Sequence, residues 1–147
     1  MSSVEDEDRG VDVGAARQFF LDREARRRTR REAGRLHWLQ RTRDAVRRIA
    51  PSCAGVRSVY IYGSLVQPGR FRPDSDIDVA VESDGPESES AFWRALEREL
   101  GRDVDVRPLE GRIAEAAVRG GEWIYAGEGA RPNQQHSPGL GDDRGDL

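Results

Sequence analysis

The amino-acid sequence predicts an α/β (α+β) protein in which a small mixed β-sheet carries its helices on one face and an acidic site on the other. Residues 57–62 end in an apolar run, and residues 76–82 and 103–107 alternate apolar and other side chains with the period of two that is typical of strands. Between the second and third of these segments, residues 88–100 repeat apolar side chains with helical spacing. The chain has 147 residues, of which 36% are hydrophobic, so it suits one domain with a modest core.

The region before the first strand divides into three parts. The acidic N-terminus, residues 1–16, is expected to be disordered. Residues 17–34 form an arginine-rich arm with good helix propensity but little apolar surface. Residues 35–50 have an amphipathic face that predicts the first helix of the domain, and Pro51 ends it. Residues 23–48 contain eleven arginines against three acidic residues, a net charge of +8, which leaves −11 for the rest of a chain whose net charge is −3.

The region after the third strand contains one more helix before its composition changes. Residues 109–119 predict a short amphipathic helix, which Gly120 and Gly121 end. Residues 128–147 are rich in Gly, Pro, Asn, Gln and Asp and have little apolar content, so we expect a disordered tail. The folded domain is therefore expected to span residues 35–127.

Residues with the potential for chemistry cluster at strand ends. Gly63 and Ser64 end the first strand, and Asp76 and Asp78 open the second. Because strand side chains alternate, this pair shares one face, and Asp105 joins it if the helix at 88–100 packs on the valines of the third strand. Adjacent carboxylates repel one another, which favours a divalent cation such as Mg2+. Gly63 would let the backbone approach a phosphate, and Ser64 would offer its hydroxyl and N–H. The alternative is three solvated carboxylates beside a simple turn.

Gly63-Ser64 and the downstream segment 72–79, Arg-Pro-Asp-Ser-Asp-Ile-Asp-Val, resemble the signature of the DNA polymerase β-like nucleotidyltransferase superfamily. The pattern is most similar to its minimal nucleotidyltransferase (MNT) branch. The resemblance covers about residues 35–127, and residues 121–125 are similar to the last strand of such domains. The loop of residues 65–75 is one residue longer than is usual in that branch. Leu65 and Gln67 also stand where many relatives have arginines.

The resemblance implies the polymerase beta-like nucleotidyltransferase fold and a Mg2+-dependent transfer of a nucleoside monophosphate, AMP from ATP, to a hydroxyl acceptor. It implies that Asp76, Asp78 and Asp105 are the catalytic residues and the ligands of two Mg2+ ions, and that Gly63 and Ser64 bind the nucleotide. Stand-alone MNT proteins resemble the antitoxin of bacterial HEPN/MNT toxin–antitoxin pairs, so the implied partner and acceptor is a HEPN-type toxin that is AMPylated. Two alternatives stay open: a small-molecule nucleotidyltransferase, and a non-catalytic antitoxin that neutralises its partner by binding.

Composition argues against several other classes of protein. No apolar run approaches the length of a membrane span, so no membrane association is expected. The acidic N-terminus does not fit a signal peptide, and the single cysteine cannot form an internal disulfide, so we expect a cytoplasmic protein. The net charge of −3 gives no general case for nucleic-acid binding. Contact of the arginine-rich arm with RNA, with the partner protein or with a second copy stays open.

Overall fold

The computed structural model describes residues 2–127, with side chains from residue 12 onward. A four-stranded mixed sheet in the order β3-β2-β1-β4 forms its centre. Its strands are β1 (Val56–Tyr62), β2 (Ile77–Ser83), β3 (Val104–Pro108) and β4 (Glu122–Ala126). The helices are α1 (Ser2–Ile49), α2 (Pro86–Leu100) and α3 (Gly111–Gly120). Strand β1 is antiparallel to both β2 and β4, whereas β2 and β3 are parallel, so the mixed α/β architecture that the sequence predicts is confirmed.

Helix α2 forms the crossover that parallel strands require between β2 and β3. Pro86 suits the first turn, and Glu87 and Glu89 favour the positive end of the helix. Gly101 ends the helix in the left-handed conformation at φ 66°, where a glycine is favoured. The buried face of α2 meets the sheet through Phe92, Leu96 and Leu100.

The main core lies between one face of the sheet and helices α1 and α2. Its members alternate along each strand, so that every second side chain of β1, β2 and β3 enters it. The buried side chains include Leu39 and Val46 of α1, Val59 and Ile61 of β1, Ile77, Val79 and Val81 of β2, Phe92 and Leu96 of α2, and Val104 and Val106 of β3. The valines of β3 therefore face α2, as the sequence predicted.

The opposite face of the sheet also carries a helix, which corrects the expectation that all helices pack on one face. Helix α3 covers Tyr60 and Tyr62 of β1 and Ala80 of β2, with Ala117 at the centre of this second cluster. The cause lies in the second half of β1, where Val59 and Ile61 face the main core and Tyr60 and Tyr62 face the other side, so both sides need cover. The acidic site therefore shares this face of the sheet with α3.

Helix α1 is longer than the sequence predicted. The arm at 17–34 and the helix at 35–50 form one continuous helix, and residues 2–16, for which we expected disorder, belong to it. No proline interrupts the chain before Pro51, and adding a residue to an existing helix is far easier than nucleating one. Residues 12–30 are solvent-exposed except for the half-buried Glu24. Met1 and the predicted tail at 128–147 lie outside the described residues.

Candidate active site

Two of the predicted acidic residues lie side by side on adjacent strands. Asp78 of β2 is the register partner of Asp105 of β3, and on its other side it is paired with Tyr62 of β1. Residues opposite one another on neighbouring strands project from the same face, at a strand spacing of about 4.8 Å. The three side chains therefore form one row across the sheet.

Asp76 lies in the loop one residue before β2 and is exposed. This loop is a turn in which the backbone N–H of Arg72 donates to Ser75 Oγ at 2.9 Å. The guanidinium of Arg102 holds the turn by donating to the carbonyls of Pro73 (2.8 Å) and Ser75 (2.6 Å). Arg102 is in turn stacked against Trp38 of α1 and Phe71. The carboxylate nearest to the solvent is thus carried by a turn that other parts of the domain hold in place.

Gly63 lies directly against the carboxylate of Asp78. Its φ is +81°, and a Cβ atom there would be 2.3 Å from Asp78 Oδ2, a distance that no side chain could accept without movement. Ser64 follows, half-buried, in a short 3-10 turn (Gly63–Val66), and its carbonyl accepts from the N–H of Gln67 at 3.1 Å. The Gly-Ser turn and the Asp78–Asp105 pair therefore form one site, as their order along the chain suggested.

The site has an excess of negative charge. Burial, together with the neighbouring carboxylates of Asp105 and Asp76, raises the pKa of Asp78 to about 6, while Arg107 opposes the increase. Burial also raises the pKa of Tyr62, with added contributions from Asp78 and Asp105. A group that binds here while carrying positive charge would relieve this repulsion.

Arg107 is a site residue that the sequence analysis missed. Its Nε donates to Asp105 Oδ1 at 2.9 Å, and this hydrogen bond raises the pKa of the guanidinium. The signal was present in the alternation of the third strand, because a residue two positions after Asp105 must share its face. The row of acids therefore has one basic neighbour at its edge.

The donor atoms suit a divalent cation, although they do not form a closed cage. Carboxylate oxygens are the ligands that Mg2+ prefers, and it is commonly held by one or two carboxylates together with substrate phosphates. Among the side chains of residues 12–127, no three His, Cys, Asp or Glu groups are placed so that they could hold a metal ion. Asp76 lies in the loop before β2, whereas Asp78 and Asp105 lie opposite one another on adjacent strands and form a two-carboxylate platform. Arg107 hydrogen-bonds one oxygen of Asp105.

The polymerase beta nucleotidyltransferase family model matches residues 45–128, more than half of the chain. The chain belongs to this family. The match begins within α1 and includes every residue of the candidate site. The nucleotidyltransferase fold supports a transferase activity. Among the described residues, no helix is long and apolar enough to cross a membrane.

Similar solved structures are toxin–antitoxin complexes. One is a toxin–antitoxin with AMP-PNP, which is 20% identical over 58% of this chain and 74% of that chain, with a TM-score of 0.49. Another is a tri-AMPylated Shewanella oneidensis HEPN toxin in complex with an MNT antitoxin, with 17% identity over 60% and 72% of the two chains and a TM-score of 0.44. No curated protein matches this chain. At this level of similarity the likeness does not bear on function.

Proposed function

We propose that this protein is a Mg2+-dependent nucleotidyltransferase that transfers AMP from ATP to a hydroxyl group of a partner protein. The observation that carries the proposal is the row of Asp78 and Asp105 on adjacent strands, directly beside Gly63 and Ser64. Membership of the nucleotidyltransferase family supports the reaction type.

Asp78 and Asp105, with Asp76 from the preceding loop, would hold the magnesium. The donor set supports this assignment because it consists of hard oxygen ligands. Burial and the neighbouring carboxylates also raise the pKa of Asp78 to about 6, and a cation would offset both effects. When bound, Mg2+ neutralises phosphate charge and stabilises the attacking and leaving oxygens of an in-line displacement.

The remaining steps fall to side chains and backbone of the chain itself. The backbone at Gly63 approaches the triphosphate closely, and the Ser64 hydroxyl donates to one of its oxygens. Asp105 accepts the proton of the acceptor hydroxyl at Oδ2, because Arg107 engages Oδ1 and orients the carboxylate. Release of pyrophosphate completes the transfer, so most of the rate enhancement comes from positioning and charge neutralisation.

The proposed acceptor is a HEPN-type toxin, and the chain would then be the antitoxin of the pair. The resemblance of residues 63–79 to the MNT signature supports this assignment. The compartment we propose is the cytoplasm, which supplies ATP and Mg2+ and keeps the single cysteine reduced.

Transfer of labelled AMP from ATP to the purified partner tests the proposal. Wild-type protein is expected to label the partner, and Asp78→Asn and Asp105→Asn are each expected to reduce the rate by about 100-fold or more. Asp103→Asn is the matched control, because Asp103 is an exposed aspartate just before β3. Transfer that survives Asp78→Asn would remove the row of acids from the mechanism.

One observation favours a second candidate, an antitoxin that acts by binding alone. The ion pair of Arg107 with Asp105 gives the third carboxylate a partner within the chain. In that case the Asp78→Asn and Asp105→Asn variants would neutralise the toxin as well as the wild type does, without labelling it. Labelling of a small molecule and not of the protein would instead support the small-molecule alternative.

A further inference from the structure

The first part of the loop that follows Gly63, residues 64–70, is tied to helix α1 by an ion pair. Arg35 Nη1 donates to the carbonyl of Leu65 at 2.9 Å, at the start of the loop. The same guanidinium donates through Nε, at 2.9 Å, and through Nη2 to Glu32 Oε2. The other oxygen of that carboxylate, Oε1, accepts from the backbone N–H of Gly69 at 3.2 Å, at the far end of the loop. One Glu–Arg pair therefore holds both ends of the loop.

The chemistry of this pair is specific to an arginine. Arg35 is only 7% exposed, and a buried guanidinium needs partners for its donors. Its planar fork reaches a carboxylate with one edge and a carbonyl with another nitrogen, which a lysine ammonium cannot do with the same fixed geometry. The hydrogen bond from Arg35 lowers the pKa of Glu32, which further favours the charged carboxylate.

Leu65 anchors the start of the loop in the main core, but residues 67–70 are exposed and have little else to define their shape. Its internal backbone hydrogen bonds are those of two turns, from the N–H of Gln67 to the carbonyl of Ser64 and from the N–H of Arg70 to the carbonyl of Gln67, each 3.1 Å long. Gly69 has a φ of +80°, and residues 65–69, Leu-Val-Gln-Pro-Gly, include no charged side chain. The polar contacts that fix the loop from outside therefore come from Glu32 and Arg35 of α1.

We propose that Glu32 and Arg35 are positioning residues, which hold the loop of residues 64–70 in the conformation that binds the triphosphate of the donor nucleotide. This inference rests on the proposed nucleotidyltransferase function. Arg35 itself does not contact the phosphates, because it is buried beneath the loop and its donors are directed at Glu32 and Leu65. Its effect passes through the backbone that begins at Ser64, next to the carboxylate of Asp78.

Arg35→Met tests the proposal, with Arg43→Met as the matched control. Arg43 also lies on α1 and also forms a two-point ion pair, with Glu122 of β4 at 2.9 and 2.6 Å, but it does not contact the loop. Two measurements are compared: hydrogen exchange of the Gly69 amide in the nucleotide-free protein, and the dissociation constant of ATP with Mg2+. Loss of the charged hydrogen bonds in Arg35→Met is expected to raise both the exchange rate of the Gly69 amide and the dissociation constant of ATP by roughly tenfold or more. In Arg43→Met both should rise much less.

The melting temperatures and the variant Arg35→Lys distinguish a positioning role of Arg35 from a purely structural one. If the two methionine variants melt at similar temperatures but only Arg35→Met loses ATP affinity, the loop is the cause. Arg35→Lys keeps the charge without the fork, so it is expected to resemble Arg35→Met. Equal ATP affinity in Arg35→Met and Arg43→Met, or full activity of Arg35→Lys, would overturn the proposal.

The exchange of the Gly69 amide keeps this inference distinct from the proposed function. If wild-type protein fails to bind ATP, the nucleotidyltransferase assignment fails and the triphosphate role of the loop fails with it. Faster exchange of Gly69 in Arg35→Met would still show that the pair holds the loop. If the wild type binds ATP but the exchange of the Gly69 amide is unchanged in Arg35→Met, the positioning role of Glu32 and Arg35 is refuted while the proposed function stands.

Discussion

Replacing Asp78 with asparagine is expected to stabilise the metal-free domain at neutral pH. The pKa of this carboxyl is raised from 3.8 to about 6 by burial and by the carboxylates of Asp105 and Asp76. A shift of that size corresponds to about 3 kcal/mol, at 1.36 kcal/mol per pH unit. Because the side chain is half-exposed, solvent screening reduces this, and we expect Asp78→Asn to raise the free energy of unfolding by about 1–2 kcal/mol.

The gain must depend on pH in a defined direction. Since the folded-state pKa exceeds the unfolded-state value, the folded protein binds a proton more tightly, and its stability falls as the pH rises from about 3.8 to about 6. The advantage of Asp78→Asn is therefore absent below about pH 4 and complete above about pH 6.

Urea unfolding with a chelator present, at pH 4, 5, 6 and 8, measures this advantage for Asp78→Asn and for the control Asp103→Asn. Addition of Mg2+ and ATP should then stabilise the wild type but not Asp78→Asn, because only the wild type binds them in the folded state. A loss of stability at pH 8, or a gain that does not vary with pH, would refute the electrostatic account of the site.

Three further results are expected. Gly63→Ala should destabilise the domain by about 1–3 kcal/mol in thermal or urea unfolding and weaken ATP binding, because its Cβ would displace the Asp78 carboxylate; an unchanged ATP affinity would separate Gly63 from the site. Asp105→Asn should reduce AMP transfer by about 100-fold or more with little change in melting temperature, since its ion pair with Arg107 is exposed; a large fall in melting temperature would make the residue structural. Deletion of residues 1–30 should leave ATP binding intact and weaken partner association in a salt-dependent way, whereas deletion of residues 1–34 should also weaken ATP binding, because it removes Glu32. Equal ATP affinity of the two truncated proteins would contradict the role of Glu32.

The sequence predicted the elements of the fold well because their signals are local. Alternation located β2 and β3, and an apolar run that ends at Gly63-Ser64 located β1, each to within one residue. Helical spacing with a terminal glycine located α2. The row of Asp78 and Asp105 followed from the same alternation, since each valine that enters the core fixes the direction of its neighbour.

What the sequence did not predict depends on contacts between distant segments. An amphipathic helix such as α3 reveals its apolar stripe but not which face of the sheet it will cover, and only the tyrosines of β1 indicated that both faces are buried. The expected domain border at residue 35 rests on apolar content. Apolar content carries no information about a charged residue such as Glu32, which contacts a loop 37 positions away. The length of α1 was underestimated because disorder was inferred from composition, without regard to the packed helix that it continues.

The position of β1 between β2 and β4 has a consequence for the synthesis of the chain. Its partner on one side follows after about 20 residues, but on the other side Ser58 pairs with Ala126. Until that last strand has been made, β1 is an edge strand with unpaired backbone groups and the apolar side chains of Val59 and Ile61. Such an edge is a template for pairing with another chain, and contacts this distant in sequence also form slowly. A polypeptide interrupted before Glu122 is therefore expected to aggregate instead of persisting as a smaller folded unit.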